Sequence, residues 1–299
     1  PLLPIGGGSN LLFTKDFPGT VLHGRIGGIS RMSPNRIYVG AGVVWDDLCS
    51  WCADNGLWGP ENLSGIPGEA GAAAVQNIGA YAVEAGGLIE SVECLDIRDS
   101  SAVRLLAGDC GYSYRDSRFK NEWKTRYIVT GVVFKVSETP SPILGYGHVR
   151  KAVLERFGTD DPAVLTPSMI RETVVSIRES KLPEVSQMGS AGSFFKNPAV
   201  CGEVLARVEA VALAESMGPV PHFDLEDGSA KIPAAWLIDK CGCKGMTSGG
   251  AAVYTRQPLV IVNRSGSAAP EDVVSLADRI VASVRNKFGV ELTREVEYV

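Results

Sequence analysis

Two glycine-rich segments constrain the fold of this chain more than any other feature of its sequence. The first is Gly6-Gly7-Gly8-Ser9-Asn10, which directly follows the apolar run from Pro1 to Ile5. The second extends from Gly65 to Gly87 and is rich in glycine and alanine. Because glycine has no Cβ, the backbone of such a segment can approach another backbone or a ligand closely. We therefore expect both segments to form loops, and the second to lie over a bound molecule.

The first segment predicts a tight turn after a strand. Glycines in such a turn leave N–H groups pointing outward, and this arrangement binds phosphate oxygens without a cation. An ordinary hairpin turn explains the same residues equally well. The segment is not a P-loop, since no Gly-Lys-Ser/Thr ending follows, and it lacks the spaced glycines of a dinucleotide-binding fold. A phosphate-binding turn and a plain hairpin both stay open on these residues alone.

Length and composition predict a globular protein of more than one lobe. The chain has 299 residues, 45% of them hydrophobic, which is enough to bury several cores. The net charge of -5 disfavours a nucleic acid as the main partner. The sequence contains neither an apolar run long enough to cross a membrane nor the pattern of a signal peptide. We expect a soluble cytoplasmic protein.

The seven cysteines predict reduced, buried thiols rather than a disulfide framework. Cys49 and Cys52 form a CxxC pair in a stretch typical of a helix, and Cys241 and Cys243 lie two positions apart. Neither pair has a second pair at the spacing of a zinc ribbon. We therefore predict core thiols and no metal site.

Hydrophobic periodicity predicts short strands in the first half of the chain and several helices after it. Strands are expected over residues 1–5, 37–41, 90–97, 103–106, 127–136, 259–263 and 291–299. Helices are expected over residues 44–55, 166–181, 203–217, 233–241 and 270–288. A domain boundary is expected at Leu182-Pro183, because proline disfavours continuation of the preceding helix.

The second glycine-rich segment is flanked by Asn62 and contains Gln76 to Tyr81. Small residues around Ile66 and Ile78 offer peptide groups and aliphatic surface to a flat, partly polar ring system such as an isoalloxazine. A loop packed on its own sheet is the alternative. We favour the interpretation as a ligand-binding loop.

Seven motifs follow one another in an order that is more specific than any one glycine turn. They are GGGSNLL (Gly6 to Leu12), GIPG (Gly65 to Gly68), QNIGAYA (Gln76 to Ala82), YSYRDSRFK (Tyr112 to Lys120), GSAGSFFKNP (Gly189 to Pro198), the pair AAWLIDKCGCKG and SGGAA after Lys231, and LTREVEYV around Glu295. In this order the chain resembles the UDP-N-acetylenolpyruvoylglucosamine reductase family over nearly its whole length.

The resemblance implies an α+β protein with an FAD-binding fold of the vanillyl-alcohol-oxidase/PCMH type and a separate α+β substrate-binding domain. It divides the chain into a first FAD lobe (1–26), a second FAD lobe (27–182), a substrate-binding domain (183–288) and a C-terminal strand that returns to the active site (289–299). Family members carry a further segment before the GGGSN turn. A truncated sequence and an abbreviated first lobe both explain its absence.

The resemblance also implies a reaction in peptidoglycan precursor synthesis. NADPH passes a hydride to FAD and leaves, and UDP-N-acetylglucosamine enolpyruvate is then reduced at its methylene carbon to UDP-N-acetylmuramate. Negative charge develops on the neighbouring carbon and its carboxylate, so a proton donor and cations are required there. Tyr146, in Leu144-Gly145-Tyr146-Gly147, indicates the tyrosine-loop branch of the family. A monomer is expected.

Three residues align with catalytic positions of the family. Ser193, in a glycine-flanked turn, is expected to donate the proton to that carbon. Arg115 is expected to hold the substrate carboxylate through its planar guanidinium, with a salt bridge to Asp116 or Asp99 as the alternative. Glu295 is expected to act on the same carboxylate or to orient Arg115.

Other positions carry over from the family as ligand contacts. The expected substrate contacts are Tyr114, Tyr146, Arg178, Lys181, Asn197 and Gln257. The expected FAD contacts are Gly6, Gly7, Gly8, Ser9, Asn10, Leu11, Ile66, Pro67, Gly68, Val75, Asn77, Ile78, Gly79 and Tyr81.

Two other functions fit parts of the sequence. An FAD oxidase of the same fold, acting on alcohols or lactones, often tethers its flavin through histidine or cysteine, whereas His23, His148 and His222 lie outside the two FAD motifs. A non-catalytic sensor of flavin or of a sugar nucleotide would not need the three catalytic positions together. Substrate-dependent consumption of NADPH separates these functions.

Overall fold

The computed structural model describes residues 1–146 and 148–299, which divide into two units. Unit 1 comprises Pro1–Gly8 and Phe17–Ser180, and unit 2 comprises Ser9–Asp16 and Lys181–Val299. The chain therefore leaves unit 1 after Gly8, contributes a short segment to unit 2 and returns. The finer division into four parts stays a prediction.

The strands are short, as the spacing of turn residues predicted. In chain order they are β1 (Leu2–Ile5), β2 (Leu11–Leu12), β3 (Thr20–His23), β4 (Ile29–Ser33), β5 (Arg36–Gly40), β6 (Gly79–Ala80), β7 (Val83–Glu84), β8 (Ile89–Asp96), β9 (Ala102–Leu106), β10 (Tyr127–Lys135), β11 (Ser190–Ser193), β12 (Ala199–Val200), β13 (Phe223–Asp224), β14 (Ala230–Lys231), β15 (Thr247–Ser248), β16 (Ala251–Val253), β17 (Val260–Asn263) and β18 (Glu297–Tyr298).

The helices lie close to the predicted positions. They are α1 (Trp45–Asp54), α2 (Ala70–Gln76), α3 (Ala85–Leu88), α4 (Val149–Phe157), α5 (Pro167–Lys181), α6 (Gly202–Ala214), α7 (Ala234–Lys240) and α8 (Pro270–Phe288). Short 3₁₀ helices occur at Glu61–Leu63, Ala107–Cys110 and Arg118–Lys120.

Unit 1 is built on an antiparallel sheet of order β4-β5-β10-β8-β9. Alternate residues of β5, Ile37 and Val39, are fully buried, as expected for a strand with one face in a core. Trp45 of α1 and Ala70 and Ala74 of α2 complete that core. The alanines of α2 keep this helix close to the sheet, which places its two flanking loops at the edge of the core.

Unit 2 contains an antiparallel sheet of order β11-β17-β16-β15 and a small sheet of order β12-β14-β13. Its longest helix, α8, begins at Pro270, where a missing N–H costs nothing, and ends before Gly289, which adopts φ +68°. One stripe of α8, including Leu276 and Ile280, packs against Phe194 in the unit's core. This core supports the segment that carries Ser193.

Two predicted elements differ from the structure. Residues 65–87 are not one continuous loop, because alanines 70, 72, 73 and 74 favour a helix strongly enough to form α2 despite Gly71. The last strand covers only Glu297–Tyr298 rather than residues 291–299. Its partner β2 is itself two residues long, so the parallel ladder cannot extend further.

The CxxC cysteines lie in the core of unit 1. Cys49 and Cys52 are each 1% exposed. Burial raises the pKa of Cys52 to about 12, and burial also raises the pKa of Cys94 to about 12. The thiols of Cys52 and Cys94 are therefore expected to stay protonated and unreactive at neutral pH. Within residues 1–146 and 148–299, no group of three His, Cys, Asp or Glu side chains is arranged to hold a metal ion.

Candidate active site

The glycine turn at residues 6–8 lies against the start of α2. A Cβ added to Gly6 would come 2.9 Å from the Cβ of Ala72 and 3.3 Å from Oε2 of Glu69. Gly8 has φ +71°, and nothing lies within 4 Å of the position that its Cβ would take. Close packing therefore requires glycine at position 6, and the backbone conformation favours it at position 8. The remaining expected contacts of this motif, Ser9, Asn10 and Leu11, belong to unit 2.

Backbone hydrogen bonds hold the GIPG segment next to the start of α1. The N–H of Gly65 donates to Oδ1 of Asp46 at 2.6 Å. The N–H of Trp45 donates to the carbonyl of Gly68 at 2.9 Å. Ile66 precedes α2, Val75 lies in its last turn and Ile78 follows it, and all three are partly buried against the core. Pro67 lies between these anchored positions, so the expected flavin loop is rigid at both ends.

Several buried polar atoms of unit 1 have no hydrogen-bond partner within the described part of the chain. They are Oδ1 of Asn62, Oε2 of Glu69, the hydroxyl of Tyr112 and Nε of Arg178. Each unpartnered buried atom costs about 1–3 kcal/mol. Asn62 and Glu69 flank the GIPG segment, and Nε of Arg178 lies 3.3 Å from the position of a Cβ on Gly65. The unsatisfied Nε of Arg178 beside Gly65 and Oε2 of Glu69 beside Gly6 fit a partly polar ligand such as FAD.

Asn77 is a hydrogen-bonding centre rather than a free ligand contact. It ends α2 with φ +48° and is 1% exposed. Its Nδ2 donates to Oε2 of Glu84 at 2.9 Å and to the carbonyl of Ser113 at 2.6 Å, and its Oδ1 accepts the N–H of Gly86 at 2.8 Å. The side chain is thus committed to three protein groups. A flavin contact at this position is left to the backbone.

Arg115 sits on a tight turn whose base is tied to Asn77. Ser113 and Asp116 exchange backbone hydrogen bonds of 3.1 and 3.0 Å, and Arg115 has φ +55°. Its guanidinium donates to the carbonyl of Gly79 and lies 5.2 Å from the ring centre of Tyr114. A Cβ on Gly79 would come 2.6 Å from Nη1 of Arg115. The structure therefore brings Arg115 and Tyr114 together with the QNIGAYA segment.

The rest of the YSYRDSRFK motif anchors this turn to α2. The hydroxyl of Ser117 donates to the carbonyl of Val75 at 2.6 Å, and Nζ of Lys120 donates to Oε1 of Gln76 at 2.6 Å. The Asp116 carboxylate accepts the N–H of Ser117 and Nδ2 of Asn121, each at 2.9 Å. These anchoring hydrogen bonds were not predicted from the sequence. The available signal was the clustering of polar side chains within the nine residues of the motif.

Arg178 of α5 is partly buried and lies beside Gly65 and Tyr81. Burial lowers the pKa of Arg178, and the nearby Tyr81 and Asp46 oppose that shift. Burial also raises the pKa of Tyr81, while Arg178 acts to lower it. One end of α5 is fixed by Arg171, which donates to both carboxylate oxygens of Asp46 at 3.1 and 2.8 Å.

Tyr146 is 37% exposed, which leaves its ring accessible. It follows Leu144, which is buried in a core that includes Trp58 and Ile170. The neighbouring Gly147, part of the predicted tyrosine loop, lies outside the described residues.

Ser193 and Glu295 come together in unit 2. Ser193 ends β11, pairs with Val260 of β17 and is exposed. The next residue, Phe194, is fully buried, and its carbonyl accepts the N–H of Glu295 at 2.8 Å. The side chain of Asn10 donates to the carbonyl of Glu295 at 3.0 Å. Ser193, which is exposed, and Glu295, which is half-buried, thus lie on neighbouring backbone segments. The buried ring of Phe194 anchors both segments to the core of unit 2.

The other expected substrate contacts of unit 2 have partly structural surroundings. Oδ1 of Asn197 accepts the N–H of Ala234 at 2.9 Å, the first residue of α7. Oε1 of Gln257 accepts the N–H of Leu259 at 3.4 Å. Lys181, the last residue of α5, is exposed.

Comparison with known proteins assigns both parts of the chain. Residues 1–105 match the family model described as an FAD binding domain, and residues 184–299 match the model described as UDP-N-acetylenolpyruvoylglucosamine reductase, C-terminal domain. These matches confirm the predicted FAD-binding fold with a separate second domain. No helix within residues 1–146 or 148–299 has the length and apolar character needed to span a membrane.

Curated relatives extend the match to the full chain. UDP-N-acetylenolpyruvoylglucosamine reductase of Bacteroides fragilis (strain YCH46) is 46% identical over 100% of this chain and 87% of the relative, and that of Photorhabdus laumondii is 41% identical over 100% and 84%. The crystal structure of UDP-N-acetylenolpyruvylglucosamine reductase from Thermus caldophilus aligns with a TM-score of 0.67 at 24% identity, covering 100% of this chain and 85% of that one. That structural match supports the fold. At these identities over the whole sequence, the chain belongs to the UDP-N-acetylenolpyruvoylglucosamine reductase family.

Proposed function

We propose that this chain is an FAD-dependent oxidoreductase that uses NADPH to reduce UDP-N-acetylglucosamine enolpyruvate to UDP-N-acetylmuramate in peptidoglycan synthesis. Family membership over the full chain supports the reaction, since relatives named for this reductase are up to 46% identical. The observation that carries the proposed residue roles is the pairing of an exposed Ser193 with Glu295 through the backbone of Phe194.

FAD, when bound, supplies the hydride that it has accepted from NADPH. The residues that would hold it are the glycines 6–8, Ser9, Asn10 and Leu11, the segment Ile66–Gly68, Val75, the backbone from Asn77 to Gly79, and Tyr81. The open space around Gly8 and the unsatisfied Nε of Arg178 beside Gly65 support this assignment.

Arg115 binds the substrate carboxylate. Its guanidinium donates to the carbonyl of Gly79, which holds the group beside the QNIGAYA segment, and the planar fork of a guanidinium matches the geometry of a carboxylate. A fixed cation beside the forming carbanion stabilises negative charge that appears only in the transition state. Tyr114 supports the guanidinium from its ring face.

Ser193 donates the proton that completes the reduction. A serine hydroxyl is a poor acid, so its neighbours have to stabilise the oxygen as the proton leaves. Glu295 is the neighbouring group, held through its own N–H and carbonyl to Phe194 and Asn10. Glu295 acts on the substrate carboxylate or relays a proton toward Ser193.

The remaining substrate contacts bind the nucleotide end. Lys181 supplies a flexible cation for the diphosphate, and Tyr146, Arg178, Asn197 and Gln257 supply hydrogen-bond donors. The exposed ring of Tyr146 suits contact with a bound nucleotide. The protein acts as a monomer, which light scattering of the purified chain tests directly.

The decisive experiment follows flavin absorbance through the two half-reactions in anaerobic stopped flow. NADPH is expected to bleach the flavin band of the wild type, and the enolpyruvyl sugar nucleotide is expected to restore it. With Ser193→Ala, NADPH should still reduce the flavin at nearly the wild-type rate, whereas reoxidation by substrate should slow by about 100-fold or more, as for loss of a general acid.

Ser248→Ala is the matched control, because Ser248 belongs to the same sheet of unit 2. It should leave both half-reactions unchanged. A Ser193→Ala variant whose reoxidation stays at the wild-type rate would show that another group donates the proton. A wild-type flavin that the enolpyruvyl nucleotide never reoxidises would refute the proposed reaction itself.

A further inference from the structure

Residues 81 and 82 form a strained turn in the expected flavin loop. Strands β6 and β7 pair as an antiparallel hairpin with Ala80 opposite Val83, so Tyr81 and Ala82 are its two connecting residues. Their φ angles are +46° and +66°. Two-residue hairpins normally place glycine, asparagine or aspartate at such positions, because side chains with a Cβ are disfavoured there. Contacts outside the hairpin therefore have to maintain this turn.

Asn62 supplies one such contact and joins the turn to a second loop. Its Nδ2 donates to the carbonyl of Tyr81 at 2.9 Å and to the carbonyl of Ile143 at 2.9 Å. Ile143 lies three residues before Tyr146. One amide group, with one hydrogen for each carbonyl, thus connects the flavin turn (Tyr81 and Ala82) to the tyrosine loop (described residues 143–146).

The position of Asn62 is fixed by its own neighbours. It lies in the 3₁₀ helix Glu61–Leu63 and is 0% exposed. Glu61 accepts the N–H of Gly59 at 2.6 Å, Ser64 donates to the carbonyl of Glu61 at 2.7 Å, and Nε1 of Trp45 donates to the carbonyl of Leu63 at 3.0 Å. The anchored turn therefore determines where the amide lies, and one amide holds both loops at once.

Apolar packing joins the same two loops. Leu144 is buried in the core that contains Trp58 and Ile170, and Tyr81 packs against that core. In the same region Oδ1 of Asn62 is buried without a partner within residues 1–146 and 148–299. An amide that serves only local stability would be expected to satisfy both of its ends. The unsatisfied oxygen indicates that the two donated hydrogen bonds are what this residue provides.

We propose that Asn62 is a positioning residue that couples the flavin turn to residues 143–146, so that binding of the substrate nucleotide beside these residues also orders the flavin turn. This inference rests on the proposed function, in which residue 81 contacts FAD and residue 146 contacts the substrate. Asn62 touches neither ligand in this scheme and acts through the carbonyls of Tyr81 and Ile143.

Asn62→Ala and Asn62→Asp test the coupling, since the first removes the amide and the second keeps its shape without its N–H donors. The KM for the enolpyruvyl nucleotide should rise about tenfold in both, the factor for loss of one or two ordinary hydrogen bonds. Reduction of the flavin by NADPH should change less than twofold. Ser64→Ala, which removes a buried hydrogen bond from the same turn without touching either loop, should leave the KM unchanged.

Hydrogen exchange measures the coupling without relying on turnover. UDP added to the wild-type holoenzyme should slow amide exchange in peptides covering residues 80–83 and 140–146 together. In Asn62→Asp the slowing should be confined to residues 140–146. Protection of residues 80–83 that persists in this variant, or that never appears in the wild type, would overturn the coupling. A wild type that binds UDP but fails to turn over would instead count against the proposed reaction.

Discussion

The turn from Ser113 to Asp116 in unit 1 (the arginine turn) and strand β11 in unit 2 (the serine strand) hold their candidate catalytic side chains in different ways. Arg115 sits in a left-handed conformation, φ +55°, that is costly for a residue with a Cβ. Ser193 follows Gly192, and the glycine takes the positive φ of +77° in its place. The arginine turn is held by side chains from elsewhere in unit 1, above all Asn77. The serine strand is held by backbone ladders over the buried Phe194.

This difference teaches which substitutions would disturb each of the two regions. A conformation maintained by side-chain hydrogen bonds depends on residues that touch no ligand, because each bond is lost with one substitution. A strand held by its own backbone tolerates side-chain changes around it better. We therefore expect remote substitutions to affect the arginine turn more than the serine strand.

The largest effect is expected for Asn77→Ala compared with Asn197→Ala. Removal of Asn77 leaves the carbonyl of Ser113 and the N–H of Gly86 without their partners, so the free energy of unfolding should fall by about 3 kcal/mol or more. Removal of Asn197 takes away one acceptor at the start of α7 and should cost about 1 kcal/mol. Urea denaturation of both variants measures the difference. If the two variants lose the same free energy of unfolding, the arginine turn does not depend on side-chain hydrogen bonds more than unit 2 does.

Gly79→Ala and Gly192→Ala should separate activity from stability. A Cβ on residue 79 would collide with the guanidinium of Arg115, so reoxidation by substrate should slow by about 100-fold, with a smaller effect on stability. A Cβ on residue 192 meets open space but forces a strained φ, so about 1–2 kcal/mol of stability should be lost. Stopped-flow rates and thermal unfolding of each variant give the two numbers. Reversal of this pattern would show that the guanidinium is not positioned by Gly79.

The smallest effect concerns acid stability. Hydrogen bonds from Arg98, supported by Arg126, hold the pKa of Asp96 well below its usual range. A lowered folded-state pKa stabilises the protein above the unfolded pKa of about 3.9, and the contribution is lost as pH falls from about 5. Asp96→Asn should therefore flatten the decline of the melting temperature of unit 1 below about pH 5.

Glu291→Gln is the comparison in unit 2. A hydrogen bond from Arg285 also lowers the pKa of Glu291, but both side chains are exposed. This substitution should have a smaller effect on the acid decline. Asp96 is nearly buried, with 3% of its side chain exposed. An acid decline that is identical in the wild type and Asp96→Asn would contradict the assignment.

Much of the fold was predictable from periodicity, and the outcome at particular elements shows why. The spacing of apolar residues predicted α8 with its observed bounds, because Pro270 marks the start of the helix and Gly289 marks its end. Helix α2 was missed, since its alanines occur among glycines that also favour a loop. The roles of Asn62 and Asn77 could not be predicted, because buried and exposed asparagines look alike in a sequence and their partners lie in distant segments.

In the candidate site, the sequence motifs predicted best those positions whose backbones are hydrogen-bonded to each other. A backbone hydrogen bond joins Glu295 to Phe194, the residue after Ser193, and the shared site that the family resemblance implied stays a prediction. The proton-transfer and carboxylate roles of Ser193, Glu295 and Arg115 stay predictions, because they depend on bound ligands. The strained φ of Arg115 was outside the reach of pattern analysis, since its turn lacks glycine at that position.

The threading of residues 9–16 into unit 2 has a consequence for how this protein is made. Asn10 is synthesised 285 positions before its partner Glu295, and β2 is made long before its partner β18. Unit 1 can complete its sheet while translation continues, whereas unit 2 cannot pair β2 until Tyr298 has left the ribosome. A chain that stops before β18 would therefore carry a folded first unit and an unpaired second one, which is a target for proteolysis in the cell.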